Sequence, residues 1–250
     1  MDYLFIVIIG VIIGSFLNVC IFRIPEEQSI CFPSSHCTSC QHKLGILDLV
    51  PVLSYIFLKG KCRYCKEKIS IRYPLIELLN AAFYLIIYYK YGFSILTLKY
   101  FILASLLIVI SMIDFDTQDV YTSTTIFGAA VGIVFLVIHQ FILKEEALSF
   151  IFGGIAGALI IGIIVFVTRG MGEGDIEIAG VCGLFLGLKV ILLALFLGII
   201  IGGIVAIIIL LLKIKSAKDR IAFGPFIAIG TMISMLYGNE IVNAYLSVFY

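Results

Sequence analysis

Charged residues are what this sequence has least of: Asp, Glu, Lys and Arg make up 13% of its 250 residues, against 62% that are hydrophobic. A soluble domain keeps about a quarter of its residues charged, because its surface faces water. The shortage therefore excludes an ordinary water-soluble fold. An excess of either sign is missing too. With 17 basic and 16 acidic residues the formal net charge is +1, so no acidic or nucleic-acid partner is implied. Only the placement of the charges carries information. Before the first apolar run, Tyr3 to Phe22, Asp2 is the sole charge, and neither a basic n-region nor a small-x-small cleavage site is present. A removable signal peptide needs both. Leu17-Asn18-Val19-Cys20 has the outline of a lipoprotein box, but Val19 is bulkier than the residue such a box requires. The run reads as a retained first span. A Gly-rich nucleotide motif of the βαβ type is also lacking.

What the sequence does have is apolar runs, at about 3–22, 75–91, 94–113, 121–143, 148–168, 175–188, 190–212 and 222–248. Most approach the roughly 20 residues needed to cross a hydrocarbon core about 30 Å thick. Between the first two lies a polar stretch, 23–74, with most of the cysteines, His36, His42 and four of the five prolines. It carries Arg23, Lys43, Lys59, Lys61, Arg63, Lys66, Lys68 and Arg72, so the positive-inside rule assigns it to the cytoplasm. Alternation through eight spans then puts Arg169, Lys213, Lys215, Lys218 and Arg220 inside as well. Of the 17 basic residues only Lys90, Lys99, Lys144 and Lys189 fall outside. That agreement requires 175–188 to be a separate short span ending around Lys189. The second and sixth spans are the weakest. The expected fold is an all-α polytopic membrane protein of about eight transmembrane helices with a small cysteine-rich cytoplasmic loop module. Residues 1–22 form the first helix, 23–74 the module and 75–250 the helical bundle. Glycines four apart (Gly10 and Gly14, Gly128 and Gly132, Gly153 and Gly157, Gly183 and Gly187, Gly198 and Gly202) read as close helix contacts.

A carboxylate at membrane depth costs several kcal/mol and marks a functional site by default. Two places qualify. Asp114 follows directly on the third apolar run, with Asp116 and Asp119 further along the chain, towards water. Each also fits a solvated helix end. Asp175 opens the sixth run after Gly170, Gly172 and Gly174, a loop whose glycines permit unusual backbone shapes. It also fits a plain N-cap aspartate. In the eight-span topology both sit on the cytoplasmic side at the ends of different helices. Two carboxylates meeting there would share a proton, one acting as general base on a water and the other as general acid. No Ser–His or Cys–His set competes, because His139 falls in a span near the outer face and His36 and His42 fall in the loop. Paired intramembrane acids also suit a proton- or cation-coupled transporter, although no internal repeat supports one. A zinc-stabilised scaffold with dispensable acids is a third reading.

Seven cysteines are present. Cys37-x-x-Cys40 and Cys62-x-x-Cys65 have the spacing of two knuckles that close a four-thiolate zinc site, with a structural role because all four positions are protein ligands. Cys31 and His36 lie nearby but are redundant, and Cys20 and Cys182 read as small buried residues.

These features together resemble the type IV prepilin peptidases, also called leader peptidases/N-methyltransferases, over nearly the whole chain. The resemblance rests on Gly14-Ser15-Phe16-Leu17-Asn18-Val19 with Arg23 and Pro25, on the cysteine module with Asp48-Leu49-Val50-Pro51 and Gly60-Lys61-Cys62-Arg63, on Arg72-Tyr73-Pro74-Leu75-Ile76-Glu77, and on Gly172-Glu173-Gly174-Asp175, which matches the GxGD signature. It implies cleavage of the basic leader from prepilins and pseudopilins at the cytoplasmic face of the bacterial inner or plasma membrane. It also implies N-methylation of the new amino terminus with S-adenosylmethionine. Asp114 and Asp175 occupy the positions of the family's catalytic pair. Many members continue the first acidic motif as D-x-D-x-x-x-x-P-D, whereas here Tyr121-Thr122 stands where Pro-Asp is usual and Asp119 comes three residues early, so Asp116 and Asp119 stay in reserve. A methyltransferase site would have to be built from the loop and nearby helix ends. Glu77, close to Arg72, is one candidate for it and equally a candidate for a helix-end ion pair.

Overall fold

The computed structural model of the chain describes residues 1–143, 147–168, 170–213 and 221–249. Lys144, Arg169, Lys215, Lys218 and Arg220, which enter the charge asymmetry above, lie outside the described residues. The described chain forms α1 (Asp2–Arg23), α2 (Leu53–Phe57), α3 (Arg72–Tyr91), α4 (Ile95–Thr117), α5 (Thr122–Ile138), α6 (Leu148–Thr168), α7 (Gly174–Leu186), α8 (Leu188–Leu211) and α9 (Gly224–Phe249). A 3-10 turn covers Ile46–Asp48 and a π turn, His139–Leu143, extends α5. The only β pairing among the described residues is two isolated bridges in the cysteine stretch.

The all-helical membrane architecture expected from the apolar runs is the one found. Six helices (α1, α4, α5 with its extension, α6, α8 and α9) are long and apolar enough to cross a membrane. The other two expected spans correspond to α3 and α7, the pair that the sequence marks as weakest. α3 carries Arg72, Glu77 and Lys90. α7 has 13 residues, about 20 Å of helix, short of the hydrocarbon thickness. Gly187, at φ +78°, ends α7 and lets α8 begin at Leu188. The two runs are therefore separate helices, as the charge pattern requires.

The chain divides within α4 into two compact units, Met1–Val109 and Ile110–Tyr250. In the first, α1 lies along α3. Gly10 and Gly14 make this approach possible: a Cβ on either would stand 2.6 Å from the Cα of Ala81 or Glu77. Close backbone packing replaces the hydrophobic drive that lipid cannot supply. Buried polar groups in this unit find partners. Asn80 Nδ2 donates to the Gly10 carbonyl at 2.8 Å, its Oδ1 accepts from Ser105 Oγ at 2.9 Å, and Asn18 Nδ2 donates to the Tyr73 carbonyl at 3.1 Å. In the second unit α6 packs on α7 and α8 on α9. Gly153 and Gly183 meet backbone to backbone, and Gly198 lies against the Phe226 carbonyl.

Candidate active site and metal centre

Asp114 lies on the last turn of α4 and is 4% exposed. Its Oδ2 accepts a hydrogen bond of 2.8 Å from the backbone N–H of Gly224, the first residue of α9. The first N–H groups of a helix have no partner within it and carry the positive end of the helix dipole, so they favour a carboxylate. Gly224 leaves room for the contact. A Cβ there would stand 2.7 Å from Asp114 Oδ2 and 3.2 Å from Cδ1 of Ile178 on α7. The carboxylate of α4, the start of α9 and the first turns of α7 thus meet at one point.

Asp175, on the first turn of α7, is also 4% exposed. Its Oδ2 accepts from the Gly172 N–H at 2.9 Å, while its own N–H donates to the Gly172 carbonyl at 3.1 Å. The loop is thereby folded back onto the helix start. The Asp114 carboxylate acts electrostatically on Asp175. The structure therefore brings together the two acids that the sequence pairs, and each commits one oxygen to a backbone donor.

The glycines of the loop have different roles. A Cβ on Gly174 would collide with Val120, which follows α4, reaching its Cγ2 at 2.7 Å. On Gly172 a Cβ would meet nothing closer than Asp175 Oδ2 at 3.8 Å, an ordinary contact. Asp116 and Asp119 are both exposed. Glu177, one turn along α7 from Gly174, is exposed and accepts a hydrogen bond from Thr125 Oγ1.

The four cysteines converge as their spacing predicts. The Sγ atoms of Cys37, Cys40, Cys62 and Cys65 all lie within 4.8 Å of one another, and those of Cys37 and Cys65 are 3.8 Å apart. Four thiolates about 2.3 Å from a tetrahedral zinc are separated by about 3.8 Å, so the cluster fits such an ion. Two matching turns build it. A bridge between His36 and Lys43 brackets the first pair and one between Lys61 and Lys68 the second. The residue after each second cysteine, Gln41 (φ +58°) and Lys66 (φ +63°), turns the chain left-handed. Backbone N–H groups of Cys40 and Ser39, aided by neighbouring thiols, bring the Cys37 thiol down to about 6 against the opposing effect of burial. One ligand is then largely thiolate at neutral pH. Cys31 is exposed and outside the cluster, and Cys20 and Cys182 are buried.

Asp48 ties the turn between the knuckles to the second knuckle. Arg63 Nε donates to it at 2.6 Å, the Gly45 N–H at 3.1 Å and the Tyr64 hydroxyl at 3.3 Å. The Arg63 bond above all holds the Asp48 carboxyl below the usual carboxylate range. Beside this pair, within the same unit, is a cavity of about 430 Å³ bounded by α1, the module and the start of α3. Asn18, Arg23, Tyr55, Lys68 and Glu77 line it, a size and polar–aromatic mix suited to a small-molecule ligand. Glu77 is 7% exposed. It accepts the Val52 N–H at 2.7 Å and a bond from Ser15, so these groups hold its carboxylate.

Two family models match the chain. Residues 8–91 match the bacterial peptidase A24 N-terminal domain, and residues 101–207 match the type IV leader peptidase family. The chain belongs to the type IV leader peptidase family. All four clustered cysteines fall in the first match, and Asp114 and Asp175 in the second. Its relatives include a prepilin leader peptidase/N-methyltransferase of Bacillus subtilis, 32% identical over 96% of both chains. Proteins of the same name from Neisseria gonorrhoeae (31% identical over 95% of this chain and 91% of the relative) and Pseudomonas putida (30% over 94% and 90%) are similarly close. No solved structure matches the chain.

In this leader peptidase the sequence reading missed Gly224, which lies beyond the stretch that the second family model matches. Gly224-Pro225 at the opening of the last apolar run is a helix-start signal, but nothing in it names Asp114 as the partner. The tie between Val52, which belongs to the motif opened by Asp48, and Glu77 was missed as well. Val52 has φ +62°, unusual for a β-branched residue, and its N–H is what meets Glu77.

Proposed function

We propose that this chain is a multi-pass aspartyl endopeptidase of the bacterial inner or plasma membrane that removes the leader from type IV prepilins or pseudopilins, with Asp114 and Asp175 as the catalytic pair. The observation that carries this reading is the burial of both carboxylates, on different helices, each held by a backbone N–H: Asp114 at the start of α9 and Asp175 at the start of α7. One aspartate, ionised, takes a proton from a water as the water oxygen attacks the scissile carbonyl carbon. The other, protonated, gives its proton to the carbonyl oxygen; the first then passes the proton taken from water to the leaving amine as the C–N bond breaks, and the second recovers its own as the new carboxyl group forms. The Gly224 and Gly172 N–H groups fix one oxygen of each carboxylate, so no reorganisation is needed when charge develops. The charge pattern of the loops supports a cytoplasmic position for both aspartates and for the module.

The chain's organisation follows: residues 1–22 form the first span, 23–74 a module held by structural zinc on Cys37, Cys40, Cys62 and Cys65, and 75–250 the bundle that carries the hydrolysis. The relatives' names support a second activity, N-methylation of the new amino terminus. S-adenosylmethionine supplies a methyl group on a positively charged sulfur, and the cavity beside the module fits it. Glu77 offers negative charge, Arg23 and Lys68 can receive a carboxylate, and Tyr55 provides an aromatic face.

The test is co-expression with a prepilin, measuring leader removal for the wild type, Asp114→Asn and Asp175→Asn at equal membrane abundance. Loss in both supports the assignment. Retained cleavage in either overturns the pair, and Asp116→Asn and Asp119→Asn then identify the acid responsible.

A further inference from the structure

The cysteine module turns the wrong side outward for a water-exposed loop. On α2, Ser54 and Tyr55, together with the following Leu58, line the cavity. Leu53, Ile56 and Phe57 point away from it, and with Ile46 and Leu47 of the adjoining 3-10 turn they are between 52% and 88% exposed. The two short elements touch each other, so these side chains form one apolar patch. Exposed Lys43, Lys59 and Lys61 stand beside it in the chain. Single exposed apolar residues need no explanation, but a contiguous patch of this kind marks an interaction surface.

We propose that this patch seats the module on the surface of an anionic lipid bilayer, with Leu53, Ile56, Phe57, Ile46 and Leu47 among the acyl-chain ends and the lysines at the headgroups. Two observations favour lipid over a protein partner. The chain enters the module from α1, which is long and apolar enough to span a membrane, so the module is tethered at the interface. Its flanking charge is basic, complementary to anionic headgroups, and aromatic and aliphatic side chains above a basic rim are the pattern of interfacial segments. The arrangement gives α2 two jobs: one face closes the cavity and the other rests in lipid.

The sequence contains no tryptophan, so one introduced indole reports alone. Phe57→Trp and, separately, Ile46→Trp would be placed in the full chain, reconstituted in phosphatidylglycerol/phosphatidylethanolamine vesicles with brominated acyl chains. Ile12→Trp, at an exposed position of α1, serves as the lipid reference, and N-acetyltryptophanamide in solution as the water reference. The expected result is bromolipid quenching approaching that of Ile12→Trp and weak quenching by iodide. In pure phosphatidylcholine the bromolipid quenching should weaken and the iodide quenching should strengthen. Full exposure to iodide without bromolipid quenching at both positions, in variants that remain monodisperse and helical, overturns the proposal. Shielding from iodide that appears only when a prepilin is added also overturns it, in favour of a protein occupant.

Discussion

In the Met1–Val109 unit the chemistry is gathered by turns close in the chain. Each knuckle brings its two cysteines together over four residues and closes with a left-handed residue, Gln41 or Lys66. Asp48 and Arg63 then join the turn between the knuckles to the second of them. In the Ile110–Tyr250 unit only Asp175 is held locally, by the Gly172 N–H. Asp114 and the N–H that holds it are 110 residues apart, and they meet where Gly224, having no Cβ, leaves room for Asp114 Oδ2 and for Ile178 of α7. The first site depends on what its side chains bind, the second on how near backbones can come. The first should therefore fail on losing an ion, and the second on gaining a methyl group.

The largest effect expected is on the second unit. Asp114→Asn or Asp175→Asn should lower the rate of leader removal by on the order of 10²–10⁴-fold or more, the usual contribution of a general acid or base. Single-turnover assays on purified protein would measure it. If instead both variants keep near-normal rates, the contrast between the two units collapses.

Adding one methyl group should come next. Gly224→Ala and Gly174→Ala introduce a Cβ where Asp114 Oδ2 and Val120 already stand. A displacement near 1 Å at a reacting group can cost about 10²-fold. Gly172→Ala meets only an ordinary contact, so its activity should stay within a few-fold of wild type. Equal effects at Gly172 and Gly174 would remove the distinction between the two glycines.

The first unit should respond to chelation. Purified protein should hold about one zinc, and removing it, or Cys62→Ser, should open residues 23–74 to limited proteolysis while the apolar helices stay protected. Metal content and mapped cleavage sites read this out. Protection unchanged after complete metal loss would show that the module folds without an ion.

The smallest effect expected is that of Asp48. Its carboxyl sits below the ordinary range because of Arg63, so it binds protons less readily folded than unfolded. Its stabilising contribution is complete above the unfolded value of about 4 and is lost as the pH falls through the folded value. Asp48→Asn should reduce the module's proteolytic resistance slightly at neutral pH, and the difference from wild type should vanish in acid. A difference that persists at low pH would point to Gly45 and Tyr64, not the charge, as what matters.

Much of this was legible from residues alone. The cysteine cluster was, because its spacing is a local property. The two aspartates stood out as candidates, because acids at the ends of apolar runs are costly, and both are buried. The separation of α7 from α8 could be read from charge alternation, and Gly187 supplies the means. What stayed hidden was partnership across the chain. Gly224 gives no sign of serving Asp114, Glu77 looks as ready to meet Arg72 as Val52, and three alternating glycines read alike although Gly174 is the one pressed against Val120. Pairings of this kind are decided by packing, and packing has no signature at either end alone.

The anchor of Asp114 is written in no side chain. Almost any change of residue at 224 would keep an N–H there, and proline alone would delete it. What a mutation destroys instead is the empty space around it. An inherited defect at this position would therefore leave the identity of every reactive group unchanged while shifting Asp114, and a search for damaged functional side chains would pass it by.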